Sequence, residues 1–482
     1  MLFKTAVFAL IVALLAAGAN AADGKPAKPN IVIVLADDLG WSDVGCYGAD
    51  LHETPNIDRL ARESLRFTDA YAMSVCSPSR ATLLTGKHAA RLRITIWAEG
   101  SREGPTNRKL LQGQSLHDLP HTETTLAKHL QSAGYLTALV GKWHLGDADH
   151  YPETHGFDVD IGGTGWGAPQ THFWPYRGAG RFGKEFRYVP HLEFGKPGEY
   201  LADRLTDEAI SVIDRAGSQP FLLYLAHHAV HTPIEAQAAD VEHFAGKGSQ
   251  DLNHRNATYA AMVKSLDNSV GRVMDHLKKR GLEENTLFIF TSDNGGFIGA
   301  DPPSGYKGPV TSNTPLRSGK GSLYEGGIRV PLLIRLPGVT PAGAVSSEPV
   351  VLTDLFQTCL NVAGVSPLPA PSAHDGLDLG PLLKDPTARL DRETLYFHYP
   401  HYYSSTTPVG ALRARDWKLL EFFEDDRLEL YNLANDLSEK QDLAQQMPER
   451  AAELRARLHA WRQSVDAAMP TPNPHFAEKG KK

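Results

Sequence analysis

Short, continuous runs of apolar residues recur along the chain and are separated by segments with helical periodicity. The runs are Ile31–Ala36, Leu136–Val140, Phe221–Ala226, Thr286–Phe290 and Val330–Leu336. Apolar runs of this length that do not alternate with polar residues are typical of parallel strands buried on both faces of a sheet. The pattern therefore predicts five buried parallel strands.

The segments between these runs repeat apolar residues at helical spacing. They predict helices over Thr122–Ser132, Leu201–Arg215 and Asn256–Arg280, and the first and last of these are followed by Gly134 and Gly281, which suit helix C-termini. Strands that alternate with helices indicate an α/β sheet covered by helices on both faces.

The pattern changes after about residue 385. Short strands with close turns are predicted at Leu395–Tyr399, Gly410–Leu420 and Leu428–Leu433, followed by a helix at Pro448–Ser464. We therefore predict a large α/β domain over residues 22–385, with a mixed, mostly parallel sheet sandwiched by helices. A small α+β subdomain with an antiparallel sheet is predicted over residues 386–472, and a disordered polar tail over 473–482.

The N-terminus has the pattern of a secretory signal peptide over residues 1–21. Lys4 provides a positive start, Ala6–Ala17 is almost wholly apolar, and Ala19-Asn20-Ala21 fits a cleavage site. The apolar run is short for a membrane span, and no other stretch is long enough for one. The sequence therefore predicts export to the periplasm or the extracellular space, with no stable membrane span after cleavage.

Composition narrows the function classes. The 482 residues carry a net charge of −7, which argues against a general nucleic-acid binder, so any anionic substrate must be drawn by a local cationic site. Three cysteines, Cys46, Cys76 and Cys359, are too few for a disulfide scaffold. Cys359 follows helical spacing with apolar neighbours and is predicted to be a buried core residue.

Polar side chains follow four of the predicted strands at the points where the strands end. They are Asp37-Asp38, Lys142-Trp143-His144, the segment from His227 to His231, and Asp293-Asn294. Ligands in open α/β sheets bind outside the carboxyl ends of the strands, so we expect these groups to form one site. Oxygen ligands from Asp37, Asp38, Asp293 and Asn294 suit Ca²⁺ or Mg²⁺ better than zinc.

The segment Cys76-Ser77-Pro78-Ser79-Arg80 precedes a helix-like run. Pro78 suits the first turn of a helix, and free N–H groups at a helix N-terminus favour an anion. Arg80, one turn later, adds positive charge near the same place. The segment predicts a reactive group beside an anion-binding site. Lys320 lies between two glycines, and a mobile surface loop is an open alternative for it.

Cys76-Ser77-Pro78-Ser79-Arg80 resembles the C-x-P-S-R signature of type I sulfatases, which belong to the alkaline phosphatase superfamily. Further motifs follow in the family's order between about residues 29 and 435. They are Ala36-Asp37-Asp38-Leu39-Gly40, Leu84-Thr85-Gly86, Gly141-Lys142-Trp143-His144-Leu145-Gly146, His231-Thr232-Pro233, Ser292-Asp293-Asn294-Gly295-Gly296, Gly319-Lys320-Gly321, Glu325-Gly326-Gly327-Ile328-Arg329-Val330-Pro331 and Asp416-Trp417-Lys418-Leu419. The chain is most similar in character to arylsulfatase-like polysaccharide sulfatases.

This resemblance implies the chemistry. A separate maturation enzyme would oxidise Cys76 to formylglycine (3-oxoalanine), whose hydrated aldehyde is the nucleophile and contacts the metal. Arg80 would orient that group, and Lys142, His231 and Lys320 would bind the sulfate, with His231 or Lys320 protonating the leaving group. His144 would accept a proton from the hydrated aldehyde. The metal, Ca²⁺ or Mg²⁺, would be held by Asp37, Asp38, Asp293, Asn294 and residue 76.

A sulfated carbohydrate is the preferred substrate, and an aryl sulfate is the alternative. An aromatic segment, Gly162–Arg177, supports a sugar-stacking rim, although ordinary loop packing explains it equally well. The other candidates for that rim are Trp97, Tyr399, His401, Tyr402 and Tyr403.

Two further readings of the chain stay open, and two segments are predicted to be structural. One alternative is a phosphonate or phosphodiester hydrolase of the same superfamily, which Asn294 disfavours; the other is a non-catalytic glycan-binding protein. His227 and His228 are predicted to fill space, and Glu325–Pro331 is predicted to form a structural turn.

Overall fold

The computed structural model describes residues 28–102, 104–248, 251–366 and 374–476. The predicted signal peptide and residues 477–482 of the predicted tail lie outside the described residues. The strands, in chain order, are β1 (Asn30–Ala36), β2 (Leu65–Tyr71), β3 (Leu110–Leu111), β4 (Leu136–Gly141), β5 (Val159–Ile161), β6 (Arg177–Gly180), β7 (Gly183–Tyr188), β8 (Phe221–Ala226), β9 (Thr286–Ser292), β10 (Arg329–Arg335), β11 (Val345–Ser346), β12 (Val350–Val351), β13 (Thr394–Tyr399), β14 (Val409–Ala414), β15 (Trp417–Phe422), β16 (Arg427–Asn432) and β17 (Thr471–Pro472).

Helices connect most of these strands. The α-helices are Pro55–Glu63, Cys76–Thr85, Ala89–Leu92, Leu126–Ser132, Leu201–Ala216, Ala238–Ala245, Ala257–Lys279, Glu325–Ile328, Thr353–Val362, Gly380–Lys384 and Pro448–Ser464. The first predicted helix is shorter than expected: it begins at Leu126, because Thr125 caps it by accepting a hydrogen bond from the backbone N–H of Lys128.

The main sheet has the strand order β11-β2-β10-β9-β1-β8-β4-β5. β1 lies at its centre and pairs in parallel with β8 and β9, and β4 pairs in parallel with β8. The prediction of a mostly parallel sheet is confirmed, but β10 is antiparallel to β9, whereas the sequence predicted it to be parallel. The chain between these two strands stays at the carboxyl edge of β9, so β10 enters from that edge and runs back.

Alternate residues of β1 supply two hydrophobic cores on opposite faces of the sheet. Val32 and Val34 pack with helices Pro55–Glu63, Leu201–Ala216 and Ala257–Lys279. Ile31, Ile33 and Leu35 pack on the other face with helices Cys76–Thr85, Leu126–Ser132 and Thr353–Val362, the last of which buries Cys359 as predicted. Helices on both faces explain why the strands are apolar throughout.

The C-terminal region forms an antiparallel sheet in the order β13-β14-β15-β16, against which helix Pro448–Ser464 packs. The prediction of a single strand over Gly410–Leu420 is wrong, because this segment forms parts of two strands, β14 and β15, joined at Arg415 and Asp416. Arg415 adopts a left-handed φ of 53° there. The turn lacks glycine and proline, so the pattern did not indicate it.

Asn473, the first residue of the predicted disordered tail, is instead buried in the structure. Its side chain donates hydrogen bonds to the carbonyl oxygens of Thr106 and Arg108, each at 2.8 Å. Among the described residues, no helix is long and apolar enough to cross a membrane.

Candidate active site

Four neighbouring parallel strands of the sheet deliver the predicted polar groups to one edge. The order β9-β1-β8-β4 brings Asp293, Asp37, His227 and Lys142 to adjacent strand ends. At two positions the chain turns sharply: Asp38 and His144 have left-handed φ angles of 62° and 61°. Such backbone conformations in non-glycine residues concentrate at functional sites. The convergence predicted from the strand ends is therefore present.

Gly141, the last residue of β4, permits the close approach of two of these strand ends. Its φ is +110°, and a Cβ atom built on it would lie 2.0 Å from the carbonyl oxygen of Ala226. A side chain at this position would push the Lys142 segment away from β8.

The acidic groups of the predicted metal site lie together. Ligand atoms of Asp37, Cys76 and Asp293 lie within 4.8 Å of one another. The backbone N–H of Asp38 donates to Asp293 Oδ1 at 3.2 Å, and Asn294 Nδ2 donates to Asp38 Oδ1 at 2.8 Å. Burial, and then the adjacent Asp37, raise the pKa of Asp293. A divalent cation would relieve the mutual repulsion of these neighbouring buried carboxylates.

Two oxygen atoms of this cluster lack partners. Asp37 Oδ1 and Asn294 Oδ1 are buried and accept no hydrogen bond. An unpaired buried acceptor costs about 1–3 kcal/mol of desolvation free energy. The donor set, carboxylate and amide oxygens with two unused lone-pair positions, fits a hard cation such as Ca²⁺ or Mg²⁺.

Two fully buried cations balance part of this charge. Arg80 Nε and Nη2 donate to Asp293 Oδ2 at 2.9 and 2.7 Å, and Arg80 Nη1 donates to the carbonyl oxygen of Lys142 at 2.9 Å. Lys142 Nζ donates to Asp37 Oδ2 at 2.7 Å. Both side chains have no solvent-exposed surface. Arg80 and Lys142 therefore lie beneath the site and connect its strand ends.

Lys320 and His231 lie on the open side of the cluster. Lys320 Nζ is 2.6 Å from Asp38 Oδ1, and His231 Nε2 is 3.6 Å from Asp38 Oδ2. Burial favours the neutral form of Asp38, but Lys320 and His231 outweigh it and lower the pKa of Asp38 to about 2. Burial, followed by Lys320, lowers the pKa of His231 to about 3. The ammonium of Lys320 is thus held in the site rather than in a mobile loop.

Cys76 is the first residue of helix Cys76–Thr85, every residue of which is buried. Burial would raise the pKa of the thiol, but Lys142, His144 and Lys320 together lower it. The helix N-terminus adds free N–H groups on the same side. The environment of residue 76 therefore stabilises negative charge, as its sequence context predicts.

His144 has a partner that the sequence did not reveal. Its Nε2 is 2.7 Å from Oε2 of Glu99, and its Nδ1 is buried without a hydrogen-bond partner. Burial opposes a charged ring, yet Cys76 and Glu99 raise the pKa of His144. Glu99 belongs to none of the motifs and follows no predicted strand. Only its spatial position identifies it.

A cavity of about 260 Å³ opens over these groups. Its floor includes Asp38, Cys76, His144, His231 and Lys320. The remaining side of the cavity is lined by Trp97, Glu99, Gly167, Ala168, Phe182, Arg187, Thr232, Phe297 and Tyr403.

Of the aromatic rim predicted from the sequence, Trp97 and Tyr403 line this cavity, with ring centroids 5.5 Å apart. Two of the other candidates have structural partners. His172 Nε2 lies 3.2 Å from the carbonyl oxygen of His231, and the Tyr176 hydroxyl donates to Glu199. Phe182 and Phe297 were not predicted.

The other motif residues that are predicted to be structural are also buried. His227 and His228 are buried, and burial lowers the pKa of both. Glu325 starts the short helix before β10 and lies 2.8 Å from the Lys418 ammonium, which links this helix to the C-terminal sheet.

A family model described as sulfatase matches residues 29–365. The chain belongs to the sulfatase family. A second model, described as the C-terminal part of N-sulphoglucosamine sulphohydrolase, matches residues 319–464 of this sulfatase. Family membership confirms the resemblance carried by the motifs and makes the protein a sulfuric ester hydrolase. Sulfatases are generally dependent on a metal and on formylglycine.

Similar proteins cover nearly all of this sulfatase. A sulfatase of Formosa agariphila is 32% identical, with 95% of this chain and 93% of the relative covered. The N-acetylgalactosamine-6-sulfatase of Canis lupus familiaris is 35% identical, with 87% and 77% covered. The structure of Ps i-CgsB in complex with k-i-k-neocarrahexaose has 30% identity and a TM-score of 0.74, with 94% and 95% covered. These neighbours have the alkaline-phosphatase-like fold, which confirms the predicted fold class.

Proposed function

We propose that this sulfatase hydrolyses a sulfate ester on a carbohydrate, using formylglycine made from Cys76 and a Ca²⁺ or Mg²⁺ ion. The observation that carries the proposal is the position of Cys76: it lies on the floor of the cavity among three carboxylates, two lysines and two histidines. Similarity to proteins whose names specify an amino-sugar sulfate or a carrageenan oligosaccharide supports the carbohydrate.

Two groups absent from the encoded chain complete the site. A divalent cation held by Asp37, Asp38, Asp293, Asn294 and residue 76 would supply Lewis-acid stabilisation of negative charge. Formylglycine would supply a hydrated aldehyde as the nucleophile in place of the thiol. The resemblance to type I sulfatases implies that a separate maturation enzyme makes this formylglycine.

The chain's own residues bind and orient. Arg80, fixed by Asp293, directs its charge toward residue 76 and the strand ends. Lys142 and Lys320 supply fixed positive charge on two sides of residue 76, where charge develops on the sulfate oxygens as the S–O bond breaks. These cations need no reorganisation during the reaction, since the carboxylates already hold them.

Two protons must move during turnover. Lys320, on the open side, stays protonated and donates a proton to the leaving alkoxide at the cavity mouth, whereas His231, whose pKa is lowered to about 3, is neutral and binds the sulfate. His144, whose unpaired Nδ1 is buried beside Cys76, accepts a proton from the group at position 76 and so permits release of sulfate.

Peptide mass analysis of residue 76 in the protein recovered from its native host tests this proposal. We expect the mass of an aldehyde in place of the thiol, and a protein that is wholly unmodified would overturn the formylglycine mechanism. Cys76→Ala should abolish sulfate release from a panel of sulfated oligosaccharides while leaving the melting temperature nearly unchanged. Substantial residual activity would refute the role of Cys76.

A kinetic comparison separates a sulfatase from a phosphonate hydrolase. We expect kcat/KM on an aryl sulfate to exceed that on the matching aryl phosphonate, and a large preference for the phosphonate would favour a phosphonate hydrolase.

The secreted or periplasmic protein should begin at Ala22 when its N-terminus is sequenced, since Ala19-Asn20-Ala21 is the predicted cleavage site. An intact Met1 in that fraction would contradict cleavage.

A further inference from the structure

Glu99 lies against His144, whose other ring nitrogen, Nδ1, is buried without a hydrogen-bond partner. Its Oε2 is 2.7 Å from Nε2 of His144. The other oxygen, Oε1, accepts a hydrogen bond from the backbone N–H of Gly167 at 2.9 Å and lies 3.5 Å from Nη2 of Arg187. Both oxygens are therefore engaged, so the carboxylate is held in one orientation.

Helix Cys76–Thr85 contributes to the position of Glu99 through Ser77. Ser77 Oγ donates to the carbonyl oxygen of His144 at 2.8 Å and accepts a hydrogen bond from the backbone N–H of Ala98 at 3.1 Å. The residue next to Cys76 thus connects the backbone of His144 to the turn that carries Glu99. On the opposite side, His117 Nδ1 lies 2.7 Å from the carbonyl oxygen of Ala98.

The imidazole ring of His144 packs closely against the backbone at Gly167. A Cβ atom on Gly167 would lie 2.5 Å from Cε1 of His144 and 2.8 Å from its Nε2. Glycine at position 167 therefore leaves room for the ring while its N–H holds the carboxylate. The ring is confined by Gly167 on one side and by Glu99 at Nε2.

We propose that Glu99 is a positioning residue that fixes the tautomer of His144. An ionised carboxylate only accepts hydrogen bonds, so the proton of the neutral ring resides on Nε2. The lone pair then resides on Nδ1, the buried nitrogen without a partner. That lone pair is what the proton-accepting role of His144 requires, and the carboxylate also stabilises the imidazolium that forms. This inference rests on the proposed function.

Glu99→Gln and Glu99→Ala test the proposal, with kcat normalised to the fraction of residue 76 that mass analysis finds modified. Loss of an orienting partner typically costs about 10- to 100-fold, so we expect kcat to fall by that factor with KM changed by less than about threefold. Glu99→Asp should retain more activity than either variant, and added formate should partly restore Glu99→Ala.

Glu185→Gln is the matched control. Glu185 accepts a hydrogen bond from Arg187 Nε at 2.8 Å but has no contact with His144. The Glu185→Gln substitution removes a charged partner of Arg187 and leaves the Glu99–His144 pair in place, so we expect nearly wild-type kcat. An equal loss in Glu185→Gln would assign the effect to Arg187 and overturn the proposal, as would unchanged kcat in Glu99→Gln.

A second measurement does not depend on turnover. Nitrogen-15 NMR of the full chain, with His144 assigned by its loss in His144→Gln, reports which ring nitrogen carries the proton when the ring is neutral. We expect it on Nε2 in the wild type and distributed over both nitrogens in Glu99→Gln. A proton on Nδ1 in the wild type would overturn the inference even if the protein hydrolyses sulfate esters. Absence of hydrolysis by the modified wild type would overturn the proposed function alone.

Discussion

Two fully buried lysines of this protein make similar ion pairs in different places. Lys142 lies 2.7 Å from Asp37 in the candidate active site, and Lys418 lies 2.8 Å from both Glu325 and Glu439 where the C-terminal sheet meets the rest of the protein. All five side chains have no exposed surface or almost none. Burial and charge alone therefore do not distinguish the lysine proposed to be catalytic from the structural one.

The difference lies in how the surrounding acceptors are used. Lys418 is shared by two carboxylates, so the protein provides more than one negative partner for its cation. In the site, one oxygen of Asp37 is near both Lys142 and Arg80, while its other oxygen has no partner. The junction also has a buried acceptor without a hydrogen bond, Glu439 Oε1, but the Lys418 ammonium lies 2.8 Å from it. The unpartnered oxygens of Asp37 and Asn294 instead belong to a cluster beside a cavity, as a site for a metal ion requires.

The largest expected effect is on stability, from Lys418→Met. Removing one partner of a buried pair typically costs about 3–5 kcal/mol, because Glu439 and Glu325 lose the ammonium between them. We expect the free energy of unfolding, measured with urea, to fall by that amount. The kcat of the remaining folded enzyme should stay within about threefold of wild type.

If Lys418→Met does not fold, the double variant Lys418→Met/Glu439→Gln provides the second measurement. It removes the uncompensated charge and should recover part of the lost stability. A loss of kcat in Lys418→Met as large as that in an active-site variant would erase the distinction between the two lysines.

Lys142→Met should act on catalysis instead. Removing one preorganised positive group from a site of developing charge typically costs about 100- to 1,000-fold in kcat. We expect that loss on a sulfate ester, with a smaller decrease in unfolding free energy than in Lys418→Met. Near wild-type kcat would show that Lys142, like Lys418, only holds the fold.

Calcium should stabilise the site and not the domain junction. A ligand at 100 times its Kd stabilises the folded state by about 2.7 kcal/mol, so Ca²⁺ should raise the melting temperature of chelator-treated protein. Asn294→Ala, which removes an unpartnered oxygen, should weaken this response. Glu439→Gln should respond like the wild type, and an equal loss in both variants would contradict the predicted ligand set.

The smallest effect is a pH dependence at the domain junction. Burial, only partly offset by Lys418, raises the pKa of Glu439 from 4.5 to about 7. The folded protein thus holds this proton more tightly than the unfolded chain, and the resulting stability is complete below pH 4.5 and lost as pH rises through 7. Glu439→Gln should remove this slope, so that its unfolding free energy changes less between pH 4.5 and pH 8 than that of the wild type. Identical pH profiles would contradict it.

Much of the site was predictable because it is local in sequence. Asp37, Asp293 and Lys142 each lie within three residues of the end of an apolar run, and parallel strands place their carboxyl ends at one edge. The short helix at Glu325 was predicted to be structural, but its partner Lys418 lies 93 residues later, and no periodicity links the two. β2 was not predicted, because its sequence LRFTDAY contains polar and charged residues and is not a continuous apolar run.

The sequence by itself determined the fold class, the family and the set of reactive side chains, because strand periodicity and the C-x-P-S-R motif are short-range patterns. Only the tertiary structure decided which side chain touches which. It placed Glu99 on His144, turned β10 antiparallel, reduced the predicted aromatic rim to Trp97 and Tyr403, and left Asp37 Oδ1 and Asn294 Oδ1 unpaired. These contacts join segments far apart in the chain, and their geometry depends on the packing of the whole sheet.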